Sequence, residues 1–194
     1  MFIDSCGIRP KLRPMLIVSS LEGAQDVWRE RRPVRVISLL AGDEETPQFD
    51  GLAPESHLKL CVDAESCART IDEAARRRAG EIIRFMSGWD GEGDILVHCK
   101  RGISRSTAAA FIIMCMQRPG TPEADLLAHL RARAVYADPC PLLVAYADEL
   151  LGRDGAMIDA VDDLPPPCPS ISAPTSMIDI GINAIGVSEV GAGA

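Results

Sequence analysis

The sequence predicts an α/β domain: a central, largely parallel sheet of four to five strands, flanked by helices on both faces. Three observations carry that reading. Short apolar runs recur at 15–18, 34–40, 58–62 and 94–98, the length expected of buried strands. Stretches with helix-start signals lie between them, and three more follow the last strand, at about 105–117, 122–133 and 139–151. Strands that alternate with helices pair in parallel, because each crossover returns the chain to the same end of the sheet.

The elements follow in order. Met15-Leu16-Ile17-Val18 is the first strand. Ser19 with Glu22 three residues on has the form of a capping box, opening a helix to about Arg31 that Pro33 ends. Residues 34–40 form the second strand, and 41–54 a polar loop with Pro47 and Gly51. The third strand, Leu58-Lys59-Leu60-Cys61-Val62, ends at Asp63. Thr70 and Glu73 form a second capping box, so a helix is expected over about 71–87. Asp90 and Asp94 flank the turn Gly91-Glu92-Gly93, and the fourth strand runs to His98. Thr121-Pro122 and Asp138-Pro139 each read as N-cap and first helical residue. Beyond Leu164, Pro165-Pro166-Pro167-Cys168-Pro169 leads into a Ser/Gly/Ala-rich stretch. Residues 1–11 are therefore an N-terminal segment, 12–164 the folded domain, and 165–194 a flexible tail. The apolar stretch 177–182 has a composition able to dock, but a loose tail is the preferred expectation.

Composition narrows the function. The 194 residues are 47% hydrophobic and 25% charged, enough for one core. No run of 18 apolar residues exists, so no membrane span is expected, and the first residues lack the basic start of a secretory signal. A net charge of −8 argues against nucleic acid as the main partner. The seven cysteines include no CxxC pair and no metal-ligand spacing, so neither metal nor cofactor is expected. Arg76-Arg77-Arg78 reads as a solvated helix face.

The most informative run is His98-Cys99-Lys100-Arg101-Gly102-Ile103-Ser104-Arg105-Ser106. A strand precedes it and a helix follows, so it occupies a strand–loop–helix corner. There the loop amides converge, and the helix N-terminus adds positive partial charge. Inward amides and a nearby guanidinium favour the thiolate of Cys99 and lower its pKa. Arg105 offers a planar fork that matches two phosphate oxygens. Gly102 lets the loop close tightly around an anion. Ser106 places a hydroxyl near the sulfur, where it can stabilise the leaving thiolate of a second step. His98 supports the loop's shape. The chemistry implied is attack of Cys99 on a phosphate monoester, giving a phosphocysteine that water hydrolyses.

The pattern His98-Cys99-x-x-Gly102-x-x-Arg105-Ser106 resembles the signature of the cysteine-based protein tyrosine phosphatase superfamily, above all its dual-specificity branch and small bacterial relatives. The resemblance covers residues from about 12 to 157. It implies a dual-specificity phosphatase-like fold, with phosphate held by Lys100, Arg101, Gly102, Ile103, Ser104 and Arg105. It also implies an aspartate general acid on a loop about three dozen residues before the cysteine, a position Asp63 fills. Asp72 is the rival, though it reads more simply as a first-turn helix residue. Asp90 and Asp94 read as turn residues.

Three functions stay open. The first is a protein tyrosine or dual-specificity phosphatase with a phosphorylated protein substrate; the short chain favours a shallow site. The second is a phosphatase for inositol phosphates, phosphoinositides or RNA 5′ ends, which the cations Lys100 and Arg101 would suit. The third is a non-catalytic phosphate-binding scaffold, against which intact Cys99 and Arg105 count. A catalytic thiol needs a reducing compartment, so a cytoplasmic location is expected.

Overall fold

A computed structural model of the chain describes residues 13–62 and 68–180, with side chains from Asp72 onward in the second of these spans. The strands are β1 (Met15–Ser20), β2 (Arg35–Leu40), β3 (His57–Cys61), β4 (Ile95–Cys99) and β5 (Ser176–Asp179). The helices are α1 (Leu21–Arg31), α2 (Ala68–Ser87), α3 (Arg105–Gln117), α4 (Glu123–Arg133), α5 (Pro141–Leu151) and α6 (Ala156–Asp162). The sheet order is β3-β2-β4-β1-β5. β4 lies parallel to both β1 and β2, β2 is parallel to β3, and only β5 runs antiparallel, against β1. The expected α/β sheet with helices on both faces is what forms.

Side-chain alternation along each strand divides the core in two. Ile17, Val36 and Leu96 pack against Ala24, Val27 and Trp28 of α1, together with Phe49. Leu16, Val18, Ile37, Leu39, Ile95 and Val97 face the other way, onto the larger cluster built around α3. α3 is buried on every side from Ser106 to Cys115, as its nearly unbroken apolar sequence requires. Such a helix cannot shift without opening the core, so its N-terminus is a fixed point.

The structure departs from the sequence-based expectations at several helix ends. Ser20, not Ser19, caps α1: its hydroxyl accepts from Gly23 N at 3.4 Å, while Ser19 Oγ contacts Thr175 Oγ1 at 3.0 Å. α2 begins at Ala68, so Thr70 lies within the helix rather than at its cap. α4 starts at Glu123 without a side-chain cap. α5 starts at Pro141, because the chain at Cys140 is held to the loop instead, Cys140 N donating to Ser104 O at 3.4 Å. α6 is too short for periodicity to reveal. The nearly buried Asp148 organises its start, accepting from Gly155 N and Met157 N, both at 2.8 Å.

The tail brings the largest correction. Ser176–Asp179 is a sheet strand, paired with β1 from Val18↔Ser176 to Met15↔Asp179, and Ile178 is fully buried. The domain therefore continues past Leu164 to at least Ile180, and the loose-tail expectation fails over that stretch. The rest of the tail, 181–194, and residues 1–12 lie outside the described residues.

Candidate active site

β4 occupies the middle of the sheet, and all five of its residues are buried. Its carboxyl end delivers Cys99 to the edge where α/β sheets bind ligands. The chain then turns through Lys100–Ser104 and enters α3 at Arg105. Gly102 makes the turn possible. Its φ is +72°, and a Cβ there would stand 2.9 Å from Ser20 N and 3.0 Å from Ser19 C. Any side chain at this position would both strain the backbone and collide with the end of β1.

The loop's carbonyls are held from outside. Leu21 N donates to Lys100 O at 3.3 Å, Ala173 N to Arg101 O at 2.8 Å, and Asp138 N to Ile103 O at 2.9 Å. Ser104 O accepts from Ala108 N at 2.9 Å and from Thr107 Oγ1 at 2.9 Å. On the inner side, Gly102 N donates to Cys99 Sγ at 3.3 Å, and Ser106 Oγ lies 3.2 Å from the sulfur. Cys99 is 2% exposed. That burial is the largest single influence on the thiol and pushes its pKa up. The Ser106 hydroxyl and the backbone N–H groups of Ser106, Gly102 and Arg101 together outweigh it, and the net pKa falls below the ordinary cysteine value. Ser104 makes no capping bond with its side chain, so the first-turn amides of α3 are not used up by a cap.

Arg105 opens α3, and its Nη1 donates at 3.3 Å to the carbonyl of Leu39, the β2 residue in register with Cys99. Among the described residues no carboxylate pairs with it. The two other loop cations differ from each other. Lys100 pairs with Glu44 from the 41–54 loop, Nζ to Oε1 3.4 Å, and Glu44 Oε2 also accepts from Ala41 N at 2.8 Å. Arg101 is exposed, and Ile103 packs inward.

Beneath the loop lies a polar chain on the α1 face of the sheet. His98 Nε2 is 2.6 Å from Ser38 Oγ, and Ser38 Oγ is 2.8 Å from His57 Nε2. His98 is fully buried. Burial, with a smaller effect of His57, lowers its pKa to about 3, and burial with Lys59 lowers that of His57 to about 4. Both rings are therefore neutral near pH 7. Phe49 covers them edge-on, with ring centroids 5.2 Å from His57 and 6.0 Å from His98. His98 thus lies buried beneath the loop, bonded to Ser38.

Of the residues singled out by sequence, Cys99 meets Ser106 and the Gly102 N–H, residues 100–104 form the turn between β4 and α3, and Arg105 begins α3 with its side chain on Leu39 O. Asp63 lies outside the described residues. Asp72 is an exposed residue of α2 hydrogen-bonded to Tyr146 of α5, a partner that accounts for it as a helix-surface group. Asp90 makes a local turn bond to Glu92 N at 3.0 Å. Asp94 does more than turn the chain: it accepts from Met15 N at 3.0 Å and pairs with Arg31 at 2.8 Å. Sequence reasoning missed Ser38, His57, Glu44 and Ala173. Ser38 left the one usable signal, a hydroxyl inside the apolar strand Val36-Ile37-Ser38-Leu39. The others act through tertiary contacts that no local pattern encodes.

No protein-family model matches the sequence, and no curated protein matches it. Solved structures do. The phosphatase domain of Yvh1 from Chaetomium thermophilum is 19% identical, covering 73% of this chain and 93% of its own, with a TM-score of 0.50. The PTP-2 phosphatase of Cydia pomonella is 15% identical, covering 69% of this chain and 84% of its own, also at 0.50. DUSP15 is 20% identical, covering 81% and 96%, at 0.49. The chain shares the fold of the Yvh1 and PTP-2 phosphatases.

Proposed function

We propose that the chain is a cysteine-dependent phosphatase that hydrolyses phosphate monoesters of proteins, phosphotyrosine first and phosphoserine or phosphothreonine as well. One observation carries the reading. A buried thiol with a lowered pKa receives a hydroxyl at 3.2 Å and an amide at 3.3 Å, six positions before an arginine anchored beside it. Donors gathered on one sulfur favour its charged form, the form a nucleophile needs. The shared fold of the two phosphatases supports the same conclusion.

In this mechanism Arg105 and the loop amides hold the phosphate oxygens. The Cys99 thiolate attacks phosphorus, and the ester oxygen departs with a proton from Asp63. Water then attacks the phosphocysteine, gives its proton to Asp63, and releases phosphate. The Ser106 hydroxyl stabilises the sulfur as it leaves. A polyanionic substrate is less favoured, because the charge of Lys100 is already met by Glu44. No helix among the described residues is long and apolar enough to cross a membrane. A thiolate mechanism suits a reducing compartment such as the cytoplasm.

The test is a screen of the purified full chain against phosphotyrosine, phosphoserine and phosphothreonine peptides, inositol phosphates and phosphoinositide vesicles. Hydrolysis of the peptides, lost in Cys99→Ser, is expected. Turnover of inositol phosphates alone would replace the protein substrate with the polyanionic one.

A further inference from the structure

The Arg101 carbonyl is paired by a residue distant in sequence and outside the domain the sequence predicts, Ala173, whose N donates at 2.8 Å. The peptide unit that carries this carbonyl also carries the Gly102 N–H, the group that donates to Cys99 Sγ at 3.3 Å. In a trans peptide the C=O and N–H point oppositely in one plane, and the described chain has no cis bond. Holding the carbonyl from outside therefore aims the amide at the sulfur. The preceding unit follows the same plan: Leu21 N holds Lys100 O at 3.3 Å, and the Arg101 N–H faces the thiol. Two peptide planes thus face the sulfur, one braced by the start of α1 and the other by the segment before β5.

That segment is well seated. Ala173 is buried, and Thr175 Oγ1 meets Ser19 Oγ at 3.0 Å. Gly23 leaves this contact its room, since a Cβ there would lie 2.6 Å from Ser19 Oγ and 3.0 Å from Thr175 Oγ1. β5 then pairs with β1, and Ile178 closes the core. Gly102 rests on the same Ser19–Ser20 backbone, so the loop, the end of β1 and residues 173–179 interlock.

We propose that residues 173–179 are a positioning element for the Cys99 site. The Ala173 N–H, seated by Thr175 and β5, orients the Arg101–Gly102 peptide toward the thiolate and toward the phosphate it attacks. With this brace gone, that peptide can turn and present its carbonyl oxygen inward, which disfavours an anion. The effect on turnover rests on the phosphatase reading; the effect on thiol acidity does not.

Ala173→Pro removes the N–H, and the residue before Pro174 is already confined to extended backbone. Thr175→Val removes only the hydroxyl that seats the segment. In the full chain, the pH dependence of Cys99 alkylation by iodoacetamide is followed by mass spectrometry of the Cys99 peptide, beside hydrolysis of an aryl phosphate. For Ala173→Pro the alkylation midpoint is expected to rise by about half to one pH unit, and kcat/KM to fall about fivefold, the scale of one hydrogen bond. Thr175→Val should shift both the same way by less, and Ile171→Ser, at an 87% exposed site two residues before Ala173, should change neither. A folded Ala173→Pro variant with the wild-type midpoint overturns the proposal. Should that variant fail to fold, an unchanged midpoint in Thr175→Val overturns it equally. A wild type inert toward every phosphate ester, with shifted midpoints in the variants, would defeat the phosphatase reading and leave the brace standing.

Discussion

At the scale of single residues, the site sets two opposed electrostatic effects against each other at one sulfur. Burial disfavours a thiolate, and four hydrogen-bond donors favour it more. The Cys99 thiol therefore ionises below the ordinary cysteine range, and activity should rise as pH climbs through that lowered value. In the proposed mechanism it falls again once Asp63 has lost its proton, giving a bell-shaped profile. Asp63→Asn should flatten the falling limb and slow poor leaving groups far more than activated ones. Equal slowing of both classes, measured across a series of aryl phosphates, would remove Asp63 from the acid's role. Arg105→Lys tests the fork. An ammonium cannot bind two oxygens in one plane, so kcat/KM should fall by roughly 10² or more with the fold intact, the scale seen when one oriented donor to a reacting oxyanion is lost. A loss under about threefold would mean that Arg105 contributes only charge. These residues were legible in the sequence because the motif is local: thiol, glycine, guanidinium and hydroxyl all lie within eight positions of one corner.

At the scale of elements, legibility followed locality too. α3 was readable because its sequence is nearly unbroken apolar from Ala108 to Met116, and β4 because its run is short and bounded by a turn. α6 was not, since a carboxylate of α5 starts it. β5 was not, since Pro-rich and Ser-rich flanks resemble a linker and only the exposed edge of β1 turns four residues into a strand. Ile178 gives this element a sharp test. It is fully buried, so Ile178→Ala should cost about 2–4 kcal/mol in urea unfolding. A cost below about 0.5 kcal/mol, the ordinary surface value, would return the stretch to the status of a loose tail.

At the scale of the whole molecule, stability should depend on pH through the buried histidines. Their folded pKa values, about 3 for His98 and about 4 for His57, lie below the unfolded value of 6.5. Between these limits the unfolded chain binds more protons, so stability rises with pH. It should be fully present above about pH 6.5, and be lost as pH falls toward 4 and then 3. Unfolding at pH 7 and pH 5 measures this, and a His57→Gln variant should show a shallower loss on acidification. Equal stability of the wild type at the two pH values would mean that neither ring is held neutral. The same packing links fold to chemistry: α1, β2, α3 and the segment before β5 each place a group against the loop after β4, so the site is a product of the entire sheet.

In the proposed mechanism Cys99 carries the phosphoryl group during turnover. Rapid acid quenching of the Ser106→Ala variant, whose second step should be slowed, during hydrolysis of an aryl phosphate tests this directly by mass spectrometry. A phosphoryl adduct on the Cys99 peptide, absent in Cys99→Ser, is the predicted result. Continued turnover with Cys99 unmodified, or turnover retained in Cys99→Ser, would contradict it.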